Sequence, residues 1–460
     1  MNPSHPLLTH LHTANQATAW CDPQEGWLSY GELARRVAQL STTYPSARSL
    51  IYLPFFTRTS HLLHYLVALC QGHVVMLADP ALSWPQHEAS CKQFGANYRV
   101  DEAGELISLN AAVPILHPEL AVMLPTSGST GRAKWVRLSD RNIVANASAI
   151  AEYLTLTESE RAITSLPLFY SYGLSVLNSH LRVGASLVQY EGSVLERTFW
   201  QQVALHDVTS FAGVPFTYQM LARLRFDWTR YPALRTLTQA GGRLDPALAR
   251  QFAEQALQLG RRFFVMYGQT EATARMAWLA TDEVAAHPDS IGRAIPGGQF
   301  SLRMLESSGE SELIYRGDNV MMGYATCTGD LAQEAQLGEL ATGDLAYRDE
   351  AGRYYLCGRL NRFLKLFGKR VSLTEVENQL HLWGWLGAGT GHDDNLLVVI
   401  EPQEQQRPDE LQQQLASWLM VAPRAIRVIT VDQLPRTANH KLDYTALAAL
   451  VEPTGSEKYP

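Results

Sequence analysis

The stretch 126-TSGSTGRAK-134 gathers hydroxyls and glycines just ahead of a cation. Gly128 and Gly131 let a backbone bend tightly and approach a ligand closely. Thr126, Ser127, Ser129 and Thr130 add small donors, and Lys134 adds a positive charge. Such a loop can cradle polyphosphate. The same composition also suits an ordinary surface loop, and on its own the stretch leaves both readings open. It is not the G-x-x-x-x-G-K-[ST] pattern, because Lys134 follows Gly131 by three residues and is itself followed by Trp135.

Elements must hold this loop in place. The apolar run 120-LAVMLP-125 reads as a preceding strand, and 140-DRNIVANASAIAEYL-154 as a following helix with Asp140 near its cap. Further β-rich runs, 49-SLIYLPF-55, 72-GHVVMLA-78, 263-FFVMY-267 and 395-NLLVVIE-401, alternate with helix-like stretches. One of these, 246-PALARQFAEQALQLG-260, starts on Pro and stops on Gly. Such alternation predicts an α/β protein whose parallel or mixed sheets are covered by helices. The segment 342-TGDLAYRDEAGRYYLCGR-359 reads as a hairpin about a D-E-A-G turn. A domain boundary is expected near 358-GRLNRFLK-365, giving a large domain over 1–358 and a small α+β domain over 359–460.

The totals exclude other classes. A net charge of -7 offers no basic excess for neutralising nucleic-acid phosphates. Five scattered cysteines with no CxxC pair predict neither a disulfide framework nor a zinc site, and suit a reducing cytoplasm. The first residues lack a basic region followed by an apolar run, so no signal peptide is expected. No apolar run is long enough to span a bilayer.

Other segments follow the loop in order: 28-LSYGEL-33, 68-ALCQGHVVMLADP-80, 167-PLFYSYGL-174, 239-QAGGRL-244, 267-YGQTEAT-273, 291-IGRAIPG-297, 312-ELIYRGDNVMMGY-324, 365-KLFGKRVSLTEVE-377 and 434-LPRTANHK-441. With the loop and the hairpin, these make nearly the whole chain resemble the adenylate-forming superfamily. That superfamily comprises acyl- and aryl-CoA synthetases, peptide-synthetase adenylation domains and luciferases. The resemblance implies ATP-dependent activation of a carboxylic acid to acyl-AMP, followed by transfer to a thiol, with Mg²⁺ as cofactor. It also implies that the small domain is a mobile lid turning about a hinge near Asn361.

Residue by residue, the resemblance implies that Thr126 to Gly131 and Lys134 hold the β- and γ-phosphates. It sets Tyr267, Gly241 and Gly242 against adenine, Thr270 on the α-phosphate and Glu271 on the metal. Asp344 would take the ribose hydroxyls, with Arg359 assisting. Lys441 would bridge the acid and the α-phosphate in the first half-reaction. In the second, Gly368 would give an incoming thiol room to pass and Arg370 would touch phosphates. Taken alone, the same residues could be a turn with a solvated Glu271, a turn holding Asp344 and a surface Arg359.

Four positions depart from the family's usual pattern: Trp135, Tyr170, Asn361 and His440. None removes a charge the mechanism needs. Tyr170 stands where amino-acid-activating relatives often carry an Asp, which disfavours an α-amino acid. The acid pocket is expected from Tyr170, Gly213, Ala240, Met266, Ala274 and Arg275, with three small residues leaving space for an aromatic acid or a medium acyl chain. Arg275 would meet a polar or anionic substituent or turn away into a salt bridge. No phosphopantetheine-type Ser segment follows Lys441, so the expected acceptor is coenzyme A or a stand-alone carrier protein. Two alternatives stand beside this reading: a nucleotide- or acyl-AMP-binding protein with weakened turnover, and an adenylating enzyme with a product other than a thioester.

Overall fold

The computed structural model describes residues 5–109, 112–126, 134–306, 309–335, 338–360, 362–367, 369–392, 394–401, 407–437 and 442–450. Two compact units result. The first is Met1–Phe300 with Tyr315–Leu340, and the second is Ser301–Ile314 with Ala341–Pro460. The division differs from the expected boundary near residue 358. Hydrogen bonds explain where the hairpin goes: the Thr342 hydroxyl donates to the Leu313 carbonyl at 2.7 Å, and the Gly343 N–H to the Glu312 carboxylate at 3.1 Å. These ties, each between a side chain and a backbone group, bind the Asp344 segment to residues 301–314.

The first unit carries two sheets. In one, the strands Ser290–Ala294, Ala277–Leu279, Arg262–Tyr267, Thr236–Gln239, Ser210–Gly213, Arg161–Ile163, Ser186–Val188, Thr18–Asp22 and Gly26–Ser29 lie in that order. Its interior pairings, from Arg262–Tyr267 through Ser186–Val188, are parallel. The other is a seven-stranded sheet running Gly323–Ala325, Trp135–Ser139, Leu120–Pro125, Val74–Ala78, Leu50–Pro54, Tyr98–Val100 and Leu106–Ser108. Its central strands Leu50–Pro54 and Val74–Ala78 are buried at every residue. Burial on both faces is why these runs read as continuously apolar rather than alternating.

Local chemistry sets the helices. Ser139 caps Asp140–Tyr153 by accepting from the Asn142 N–H, and the Asn142 side chain accepts from the Ser139 N–H in return. Asp245 caps Pro246–Gln258, with Pro246 in the first turn and Gly260 at φ +62° just past its end. Among the described residues no helix is long and apolar enough to cross a membrane.

In the second unit the hairpin pairs Glu339–Arg348 with Tyr354–Arg359, setting Asp344 opposite Arg359. A two-stranded ribbon, Phe363–Leu366 with Lys369–Ser372, follows. The helices Leu373–Leu382 and Pro408–Leu419 pack with the sheet of Gly387–His392, Asn395–Ile400 and Ile426–Thr430. Leu366, Val376, Leu380, Val398, Leu411 and Leu415 form the centre of its apolar core.

Candidate active site

Side chains far apart in sequence form a line of contacts in the first unit. The neck of the 126–134 loop is closed by Thr126, whose N–H and hydroxyl both donate to the Lys134 carbonyl, at 2.9 and 3.1 Å. The Lys134 ammonium lies 5.5 Å from the centroid of the Tyr324 ring. The Tyr324 hydroxyl in turn donates to Glu271 Oε1 at 2.8 Å. One residue before Glu271, Thr270 Oγ1 lies 3.1 Å from Ser171 Oγ. Ser127, Gly128, Ser129, Thr130 and Gly131 lie outside the described residues.

Tyr324 reaches this position through sheet register. Its strand pairs antiparallel with Trp135–Ser139, so Tyr324 sits opposite Val136, two residues after Lys134. The turn before it grips the Glu271 segment. The Met321 N–H donates to the Glu271 carbonyl at 2.8 Å, and the Asn319 amide donates to the carbonyls of Ala272 and Arg275. Burial, then the Glu271 charge, pushes the Tyr324 phenol above its ordinary range, so it stays a hydrogen-bond donor. Glu271 is therefore held, not simply solvated. Among the described residues no group of three or more His, Cys, Asp or Glu could hold a metal. A single carboxylate fits Mg²⁺, which takes its remaining ligands from phosphate and water.

The adenine candidates Tyr267, Gly241 and Gly242 and the acid-pocket candidates Gly213 and Ala240 gather at the carboxyl ends of neighbouring parallel strands. Gly213 ends Ser210–Gly213, Ala240 to Gly242 follow Thr236–Gln239, and Tyr267 ends Arg262–Tyr267. Ligands of open α/β sheets bind at such ends. After Tyr267 the backbone doubles back, with the Met276 N–H donating to the Tyr267 carbonyl at 2.8 Å. A Cβ on Gly268 would lie 1.6 Å from the Ala274 carbonyl oxygen, so only glycine fits there.

Tyr170, Ala240 and Met266 meet in one buried cluster with Tyr172 and Phe264. Ala274 is buried at φ +106°. Gly213 corrects the expectation of open space. A Cβ there would come 2.9 Å from the Tyr218 ring and 3.0 Å from the Thr217 methyl, so neighbouring side chains already fill that volume. Arg275 is 2% exposed and forms no salt bridge among the described residues. Its Nε donates to Ser175 Oγ at 3.1 Å and its Nη1 to the Tyr153 hydroxyl at 3.1 Å.

Trp135 also has a structural account. Its ring is buried beside Tyr52 and Phe94, at centroid distances of 6.4 and 6.0 Å. It is a core residue of the sheet, turned into the cluster that holds Met76 and Met322.

The second unit holds the remaining described candidates. Asp344 is buried and accepts from Arg359 Nε at 2.6 Å. Arg370 lies with its guanidinium carbon 3.7 Å from the Phe363 ring centroid and donates to Glu310 at 2.8 Å. Asn361, Gly368, His440 and Lys441 lie outside the described residues. The ends of the Lys441 segment are tied together: Arg436 and Leu442 form an antiparallel bridge, and the Asp443 N–H donates to the Pro435 carbonyl at 2.9 Å.

Sequence reasoning missed Tyr324, Ser171, Ser175 and Tyr153. Tyr324 and Ser171 fell inside the segments 312–324 and 167–174 without receiving a role. Nothing local marks a serine or tyrosine as the partner of a residue on another strand.

Comparison with known proteins adds to this geometry. A family model described as AMP-binding enzyme matches residues 88–325. The chain is 28% identical to an oxalate–CoA ligase of Arabidopsis thaliana, over 76% of this chain and 70% of the relative. It is also 28% identical to an L-proline–[L-prolyl-carrier protein] ligase of Pseudomonas fluorescens, over 84% of this chain and 76% of the relative. Its fold matches the crystal structure of ATP-bound MatB from Rhodopseudomonas palustris with a TM-score of 0.80 at 19% identity, covering 97% and 98% of the two chains.

Proposed function

Because this chain belongs to the AMP-binding enzyme family, we propose that it joins a carboxylic acid to a thiol in two steps, with the roles given below to its own side chains. The overall class is an AMP-forming acid–thiol ligase using ATP, Mg²⁺ and either coenzyme A or a carrier protein's phosphopantetheine. In the first step an oxygen of the acid attacks the α-phosphorus, and the bond to the departing pyrophosphate breaks. In the second a thiol sulfur attacks the acyl carbon, and AMP leaves.

The observation that carries the reading is the line from Lys134 through Tyr324 to Glu271. It sets a cation and a carboxylate on either side of one phenol, as a polyphosphate with a bound metal requires. Lys134 and the loop from Thr126 neutralise the leaving pyrophosphate, which lowers the barrier where charge develops. Glu271 holds Mg²⁺, which when bound supplies further neutralisation at the phosphates. Thr270 donates to the α-phosphate, and Ser171 orients its hydroxyl. Tyr267, Gly241 and Gly242 receive adenine, while Asp344 accepts from the ribose hydroxyls with Arg359 fixing its orientation. Lys441 stabilises the first transition state. A turn about Asn361 then brings Gly368 and Arg370 to the thiol step. Tyr170, Ala240, Met266 and Ala274 line the acid pocket.

The acid is one without an α-ammonium group, since a neutral phenol at Tyr170 offers such a group no charge. The acceptor is coenzyme A or a stand-alone carrier. The proposed compartment is the cytoplasm, which suits five free cysteines. Burial of Trp135 in the core leaves the weakened-turnover alternative without support from that residue. The test is ATP–pyrophosphate exchange over benzoates, cinnamates, fatty acids, diacids and amino acids. Exchange that depends on an acid supports the reading, and none with any acid while ATP binds overturns it.

A further inference from the structure

Arg275 is a buried cation with nothing of opposite charge beside it among the described residues. Its guanidinium carbon lies 5.0 Å from the Tyr172 ring centroid, and Nη1 also donates to the Met266 sulfur at 3.3 Å. Its protein partners are the hydroxyls of Ser175 and Tyr153 and that thioether, all neutral groups. The hydroxyls are themselves already committed: Ser175 donates to the Tyr172 carbonyl at 2.7 Å and Tyr153 to the Met266 sulfur at 3.0 Å. Nη2 has no hydrogen-bond partner among the described residues.

Two other arginines, Arg137 in the core and the partly buried Arg362, have stronger acceptors, although the Arg137 Nε has no partner among the described residues. Arg137 donates to the carbonyls of Gln333 and Met322, and Arg362 forms a two-pronged pair with Glu377. Phenolate formation does not rescue Arg275 either. Burial holds both the Tyr153 and Tyr172 phenols above their ordinary range, against the lowering pull of Arg275 itself. Sequestering an unpaired charge is costly, and a ligand anion that entered would recover much of that cost.

The position of this cation relative to the reacting centre follows from one helix. Ser171 and Ser175 lie a turn apart on Ser171–Val183. Ser171 touches Thr270 and Ser175 touches Arg275. Four residues of helix rise span about 6 Å. The guanidinium therefore stands roughly that far along the helix from the Thr270 hydroxyl.

We infer that Arg275 selects the substrate: it binds a second anionic group on the acid, so the enzyme activates short acids carrying one carboxylate that reacts and another anion that does not. The reacting carboxylate lies by Thr270 and the second anion meets Nη2, with Met266 moving aside as an adaptable wall. Tyr172 and Tyr153 keep the guanidinium plane in place. This inference rests on the adenylation reading above.

The test is acid-dependent ATP–pyrophosphate exchange by the full chain, using short diacids of graded length, each paired with its half-amide. The half-amide keeps the shape and loses the second charge. At the best chain length the wild type is expected to favour the diacid by about tenfold or more in kcat/KM, the effect of one charge-assisted hydrogen bond. Arg275→Met should bring that ratio to near one, and Arg275→Lys should keep part of it. If Arg275→Met does not fold, as judged by its melting curve, the wild-type ratio and Arg275→Lys decide. Wild-type exchange that runs equally well with half-amides, or only with uncharged acids, overturns the role of Arg275 but leaves adenylation standing. Exchange with no acid of any kind, while ATP binds, overturns adenylation and this inference together.

Discussion

The Tyr324 hydroxyl donates to the Glu271 carboxylate at 2.8 Å, across 53 residues of chain, while the same ring lies under the Lys134 ammonium. On the proposed roles, Tyr324 is a positioning residue between two groups that would meet phosphate and metal. Tyr324→Phe keeps the ring beneath Lys134 and frees the carboxylate. The expected result is a fall in exchange of about tenfold, with the Mg²⁺ requirement moved to higher concentration. An unaltered Mg²⁺ titration would remove Tyr324 from the site.

The proposed roles confine Lys441 to the first half-reaction. Lys441→Ala should lose adenylation by orders of magnitude yet largely spare thioester formation from supplied acyl-adenylate. Assaying the two steps separately checks this. Equal loss in both would contradict the division of roles.

Trp135 is expected to contribute to stability and not to turnover, because its ring is packed in the core. Removing its side chain opens a void between Tyr52 and Phe94. Trp135→Ala should cost about 3–5 kcal/mol of stability. At a temperature where the variant remains folded, its exchange rate per folded molecule should match the wild type, and a large loss there would return Trp135 to the loop's chemistry.

Stability should depend on pH through buried imidazoles. Burial lowers His61, His73 and His180 to about 4 from 6.5. Between those values the unfolded chain binds more protons than the folded one, so stability rises with pH. The contribution is present in full above 6.5 and is lost as pH falls toward 4. At pH 5 the loss should be roughly 1–2 kcal/mol per histidine, seen as a Tm lower than at pH 7.5. A Tm flat over that interval would show that these rings stay accessible to protons in the folded state.

Much of the fold was legible because its signals are local. Continuous apolar runs marked Leu120–Pro125 and Val74–Ala78, and Pro246 with Gly260 bracketed a helix. The D-E-A-G turn marked the hairpin that sets Asp344 opposite Arg359. Each of these needs only a few consecutive residues to specify backbone geometry. The candidate site was legible in part, since glycines and charged groups in ordered segments announce a loop, a carboxylate and a cation.

Convergence was not legible. Ser171 meets Thr270 across 99 residues, Arg275 meets Tyr153 across 122, and the space beside Gly213 is taken by Tyr218. Such contacts depend on strand order and register, which no local pattern carries. The amino-acid sequence by itself determined the elements, the family and the chemical groups on hand. Only the tertiary structure decided which groups face one another, and that Arg275 is buried without a counter-charge among the described residues. The reason is physical: backbone hydrogen bonding and periodicity act over a few residues, whereas burial and side-chain pairing are set by elements packed from across the chain.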